Sequence, residues 1–171
     1  MWDSVEEKHY FKLKSLIINK KITDLSLMLK NAIQHEFCFG LGSGPSWYKK
    51  IKSNDQDKAQ IIAVIVDRFF SLAEALSILD LEHPEVEESL GVNIYKSLET
   101  TAKLIEKKLD IKISTPNLIG LFGLDIGGRL ITVRTADAIY TAYRLNTLRK
   151  ATAAKKIIEI GGGFGLCAYY F

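Results

Sequence analysis

Between Asp55 and about Asp80, apolar residues return at every third or fourth position: Ile62, Val66, Phe69, Phe70, Ala73 and Leu76. That period is the α-helical one. Ile61, Ile65 and Leu72 widen the stripe to most of the circumference, and a helix apolar on several sides packs against several neighbours. The segment therefore predicts a long central helix that needs other helices around it.

The first two-thirds of the chain supplies them. Ser4 and Glu7 have the S-x-x-E spacing of a capping box, in which each side chain satisfies an orphan backbone donor. This predicts a helix from about 5 to 19. A second is expected from about Asp24 to Gln34, with Leu25, Met28, Leu29, Ala32 and Ile33 on one stripe. Gly40-Leu41-Gly42-Ser43-Gly44-Pro45 breaks the pattern, and Pro84 closes the long helix or opens the next segment. Ile94, Leu98, Ala102 and Ile105 predict a further helix from about 94 to 108, with Leu109 just beyond.

The texture changes after Asp110. Ile111-Lys112-Ile113 alternates like a short strand, and Ser114-Thr115-Pro116-Asn117 reads as a turn. Leu124-Asp125-Ile126, Gly127-Gly128 and Leu130-Ile131-Thr132-Val133 predict a β-hairpin, since a two-glycine loop suits the primed turns. Thr135 stands where a helix to about Arg149 would take its cap, with Ile139, Ala142, Tyr143 and Leu148 facing inward. Lys155-Lys156-Ile157-Ile158-Glu159-Ile160 then reads as a short, buried strand.

Composition narrows the function classes. The 171 residues are 47% hydrophobic and 25% charged, near the averages of soluble globular domains. The longest stretches without Asp, Glu, Lys or Arg (Phe37–Tyr48, Ile113–Leu124 and Ile160–Phe171) have 12 residues each. A spanning helix needs about 20, so no membrane partner is expected. The acidic start, Met1-Trp2-Asp3-Ser4-Val5-Glu6-Glu7, is unlike a signal peptide. With two cysteines, Cys38 and Cys167, the expectation is a cytoplasmic protein with reduced thiols. Twenty-three basic and 20 acidic residues leave a net charge of +3, and the Lys pairs at 20–21, 49–50, 107–108 and 155–156 are scattered. Nucleic-acid binders concentrate their positive charge, so no nucleic-acid partner is expected.

Three local patterns fall short of a site. His35-Glu36 opens like a zinc helix motif, but Phe39 stands where the second histidine belongs, and no metal site is expected. Cys38 and His35 have a spacing that suits a nucleophile pair only if one helix carries both. From Gly40 a phosphate loop fails because Pro45 stands where its second glycine belongs, with Ser46 and Trp47 after it; the run reads as a flexible connection, or as a lid whose Trp47 and Tyr48 would stack on a sugar.

The most informative run is Ile157-Ile158-Glu159-Ile160-Gly161-Gly162-Gly163-Phe164-Gly165. Glycines let a backbone turn sharply after a strand and approach a ligand that a Cβ would block. A dinucleotide fingerprint fits only from Gly163, with Ala168 in its last position, and a purely structural glycine turn is a further alternative. The pattern apolar-apolar-acid-apolar-Gly-x-Gly-x-Gly fits without a gap through Glu159, Gly161, Gly163 and Gly165. It resembles the first motif of class I S-adenosylmethionine-dependent methyltransferases. More narrowly, Phe122-Gly123-Leu124-Asp125, the hairpin with Ile131-Thr132-Val133-Arg134, Tyr140-Thr141-Ala142-Tyr143-Arg144 and the glycine run together resemble the layout of sugar O-methyltransferases.

That resemblance implies S-adenosyl-L-methionine as cofactor, with the glycines passing under its amino-acid end and Glu159 anchoring the loop. It also implies a sugar or glycoside hydroxyl as acceptor, and it identifies no catalytic residue. Asp125 and Arg134 would then stand near the cofactor, or else be surface charges. The expected fold is mainly α with a small β-hairpin. Residues 1–150 would form a helical region, and 151–171 would be the first strand and glycine loop of an incomplete Rossmann-like α/β methyltransferase domain, inactive by itself. The alternative is a non-catalytic helical interaction module, a possible homodimer through the 55–80 helix.

Overall fold

The computed structural model describes residues 4, 6–38, 45–81, 96–116, 120–160 and 162–171. Among them the fold is mainly helical: α1 (Phe11–Ile18), α2 (Ile22–Lys30), α3 (Pro45–Ser53), α4 (Asp55–Ala75), α5 (Leu98–Leu109), α6 (Thr135–Thr152) and α7 (Leu166–Tyr170). One antiparallel pair, β1 (Leu124–Asp125) and β2 (Leu130–Ile131), completes it. The chain divides into two compact units, 1–59 with 116–122, and 60–115 with 123–171.

In the first unit a π-helical turn, Glu6–Tyr10, leads into α1. The expected 5–19 helix is therefore a wide turn followed by two regular ones, and Tyr10 makes no side-chain cap at the junction. Lys20, left-handed at φ 52°, reverses the chain so that α2 packs back on α1. The predicted second helix stops at Lys30, with a 3₁₀ turn at Ala32–Gln34. Its inward residues are Met28, Ala32 and Ile33, while Leu29 faces solvent. A second 3₁₀ turn, Glu36–Cys38, brings Glu36 Oε2 to 3.5 Å from His9 Nδ1.

In the second unit α4 buries Ile61, Ile65, Phe69 and Leu72, joined by Phe70 and Ala73, and Leu76 just past its end is buried too. The stripe is centred on Ile61, Ile65 and Leu72, the residues expected only to widen it, and Ile62 and Val66 are half-exposed. Each buried Ile, Leu or Phe side chain contributes about 1.5–3 kcal/mol. Helix α5 starts at Leu98 because the Ser97 hydroxyl accepts from the Thr100 amide at 3.3 Å, and it ends on left-handed Asp110. Ala102 and Ile105 face inward as predicted, whereas Ile94, Pro84 and Gly40–Gly44 lie outside the described residues.

The expected hairpin forms, with Leu124 opposite Ile131 and Asp125 opposite Leu130. Ile126 and Arg129 exchange backbone hydrogen bonds across the loop, and Gly127 and Gly128 take φ of 60° and 78°, as a type I′ turn requires. The strands are shorter than expected, because Thr132 and Val133 leave the ladder to enter α6.

Two expected strands do not form. Ile111–Ile113 is irregular, since the Ile113 amide donates to the Glu106 carboxylate at 2.9 Å instead of to a neighbouring strand. Among the described residues Lys155–Ile160 has no strand partner either. Its isoleucines stay in solvent, Ile158 86% and Ile160 94% exposed.

Candidate functional site

Helix α6 ends on left-handed Ala153, and residues 154–159 run on without regular structure. The glycines then close a tight turn in which the Gly165 amide donates to the Gly162 carbonyl at 2.8 Å. Gly163 and Gly165 adopt φ of +56° and +72°, and a Cβ at either would meet nothing within 4 Å. The requirement for glycine there is conformational, about 1–2 kcal/mol for an L-residue, and one side of the loop is bare backbone. Gly161 lies outside the described residues.

Glu159 is exposed and bends over the turn: its Oε2 would stand 2.9 Å from a Cβ on Gly162. Alternate-position reasoning passed over Gly162, yet it is the glycine that makes room for the acidic side chain. So Glu159, Gly163 and Gly165 belong to one local turn, and α7 begins directly after it.

An open cleft of about 430 Å³ adjoins the loop, lined by Leu145 and Arg149 from α6, by Ile157 and Glu159, and by Cys167 and Phe171. The Arg149 guanidinium lies 5.4 Å from the centre of the Phe171 ring, a cation–π pair. Burial raises the Cys167 thiol, and the Glu159 carboxylate raises it further. That thiol stays protonated at neutral pH and is no nucleophile.

A buried hydroxyl network fixes α7 in place. Thr115 Oγ1 shares hydrogen bonds with Thr135 Oγ1 at 3.0 Å and with Tyr170 OH at 3.1 Å. Thr135 Oγ1 also accepts from the Thr132 amide at 2.8 Å and bonds Thr132 Oγ1 at 3.1 Å. Three partners exhaust a hydroxyl's one donor and two acceptors. Thr135 thus anchors the preceding loop instead of capping its own helix. The Tyr169 hydroxyl donates to the Ser114 carbonyl at 2.9 Å, and Asn146 Nδ2 to the Phe171 carbonyl at 3.3 Å. Nothing in residue spacing signalled this network, whose members lie 20 and 55 positions apart.

Asp125 and Arg134 take separate roles. Asp125 accepts from the Gly128 amide at 2.8 Å, steadying the hairpin loop. Arg134 stands 3.6 Å from Asp137, which Arg68 approaches to 2.8 Å while also donating to the Val133 carbonyl. Among the described residues neither charge joins the glycine loop's hydrogen bonds. Among the described residues the most buried ion pair is Glu106 with Arg129, two parallel hydrogen bonds of 3.0 and 2.9 Å with each side chain 17% exposed.

His35 stacks on Phe37 at 6.0 Å; burial, then Lys12, lowers its pKa. Cys38 is buried, which raises its thiol, so His35 and Cys38 make no reactive pair. Tyr48 sits in α3 with Lys52 Nζ 4.8 Å from its ring centre, and the Trp47 side chain lies outside the described residues. Among the described residues no group of three His, Cys, Asp or Glu is placed to hold a metal ion, and no helix is long and apolar enough to cross a membrane.

Compared with protein-family models, with curated proteins and with solved structures, the chain shows no match in any of the three.

Proposed function

We propose that residues 157–165 are the cofactor loop of an S-adenosylmethionine-dependent O-methyltransferase whose acceptor is a sugar hydroxyl. The observation that carries this reading is the pairing of left-handed Gly163 and Gly165, open where a Cβ would project, with Glu159 folded over the same turn. Such a loop fits an extended amino-acid moiety lying against bare backbone, with a carboxylate near its ammonium group. Bound there, S-adenosylmethionine supplies a methyl group on a sulfonium, ready for in-line transfer to a hydroxyl oxygen. The chain's part is positioning, which supplies most of the rate in such transfers.

Ile157-Ile158-Glu159-Ile160 has the composition of a strand buried in a parallel sheet and the exposure of a strand without neighbours. On this reading it is the first strand of a Rossmann-like domain. Titration calorimetry of the chain with S-adenosylmethionine, and separately with a nicotinamide dinucleotide, tests the proposal. Heat with the first alone supports it; heat with the second alone assigns the dinucleotide reading.

A second reading, a helical interaction module, is favoured by the apolar residues that α1 and α2 leave in solvent, Phe11, Ile18, Ile22 and Leu27. A stable dimer in light scattering with no affinity for S-adenosylmethionine would support it instead.

A further inference from the structure

A second cleft of about 310 Å³ opens where the last turns of α5 and α6 meet. Lys108, Arg149 and Lys150 line it together with Tyr143, Asn146 and Thr147, and among the described residues no acidic side chain does. Among the described residues none of these three cations has a carboxylate within 4.0 Å, although the chain as a whole carries 20 acidic residues. Elsewhere in this unit Arg129 pairs with Glu106, Lys103 with Glu99, and Arg68 and Arg134 with Asp137, while Lys107 and Lys112 stand apart on the surface; what marks the cleft is that its three cations converge. Helix C-termini attract cations, which explains one lysine at each end. They do not explain three donors from two helices converging on one concave surface with their hydrogen bonds unspent.

We propose that this cleft binds a phosphorylated sugar through its phosphate. Lysine ammonium groups and a guanidinium are the usual partners of phosphate oxygens, and Asn146 and Tyr143 stand beside them. The volume is at the low end of small-molecule pockets, about 300–1,000 Å³, so it fits a monosaccharide phosphate and excludes a whole dinucleotide. The half-exposed face of Tyr143 is an apolar platform for a sugar ring. The phosphate assignment stands on the cleft alone; the sugar rests on the acceptor proposed above. Arg149 lines this cleft and the one beside Glu159, so a sugar held here by its phosphate would lie next to the cofactor loop.

The test titrates the ¹⁵N-labelled full chain with a hexose 1-phosphate, with inorganic phosphate and with the free hexose. Amide shifts at 146–150 with the hexose 1-phosphate, weaker ones with inorganic phosphate and none with the hexose are expected. The exposed pair Lys108→Gln and Lys150→Gln, checked for folding by circular dichroism, should weaken hexose 1-phosphate binding about tenfold or more. Lys96→Gln, a residue of neither cleft, should not. No shift with either phosphate, an equal loss in Lys96→Gln, or equal binding of the free hexose would overturn the proposal. Since no arm contains S-adenosylmethionine, failure of the methyltransferase reading shows only in the cofactor titration.

Discussion

The Tyr170 hydroxyl shares a 3.1 Å hydrogen bond with Thr115 Oγ1, 55 residues earlier in the chain. Through it the helix after the glycine loop is tied to the loop that succeeds α5. Burial raises the Tyr170 phenol, so the hydroxyl stays neutral and able to donate at any working pH.

Removing members of this network should cost unequal amounts. Tyr170→Phe deletes one hydroxyl and leaves Thr115 bonded to Thr135, so about 0.5–1.5 kcal/mol is expected. Thr135→Val strips three partners and orphans the buried Thr132 amide, for about 1–3 kcal/mol. Urea unfolding should rank Thr135→Val as the more damaging; equal effects would mean the network is not centred on Thr135.

Glu106 makes a pH prediction. The Arg129 hydrogen bonds, helped by the Ile113 amide and opposed by burial, hold its carboxyl below the ordinary glutamate value. A depressed folded-state pKa gives stability that is present above the unfolded-state value of 4.5 and lost as pH falls through the folded one. Glu106→Gln should lower stability at neutral pH by about 1–3 kcal/mol and flatten the acid limb. Urea midpoints from neutral to acid pH check this, and an unchanged acid limb would count against it.

Two glycines of the hairpin region should respond to alanine for different reasons. A Cβ on Gly123 would stand 2.5 Å from the Ile131 carbonyl oxygen and 2.9 Å from Leu130 Cδ1; backbone has no room to yield, so Gly123→Ala should disrupt the hairpin. At Gly128 the space is open and only the φ of +78° opposes a side chain, costing about 1–2 kcal/mol. Thermal unfolding should show a much larger loss for Gly123→Ala.

Helix positions and the hairpin were legible because their signals are local: the 3–4 spacing of α4 and the Gly127-Gly128 loop; the Ser97 cap that starts α5 four residues after Ile94 was not read. Strand formation at 111–113 and 155–160 was not, because a strand needs a partner that its own residues do not encode. Ile113 found a carboxylate instead, and Ile158 found solvent. The glycine turn was half-legible: residue types showed where φ turns positive, while Gly162 needed the position of the Glu159 side chain. The Thr115–Thr135–Tyr170 network was invisible, since hydroxyl partners distant in sequence leave no periodic trace.

The exposed isoleucines make a solubility prediction. An unpaired segment with β-branched side chains in solvent is prone to self-association. The double substitution Ile158→Glu and Ile160→Glu should raise the soluble fraction and change stability by less than about 0.5 kcal/mol, as surface changes do. Sedimentation and urea unfolding read the two effects separately; a large loss of stability would show that these side chains are packed.

Equilibrium dialysis with radiolabelled S-adenosylmethionine, comparing the chain with its Gly163→Val and Glu159→Ala variants, reaches the central claim. Saturable binding that Gly163→Val abolishes and Glu159→Ala weakens, both variants remaining folded, is the predicted result. Full affinity in a folded Gly163→Val protein would contradict the assignment of this loop to the cofactor.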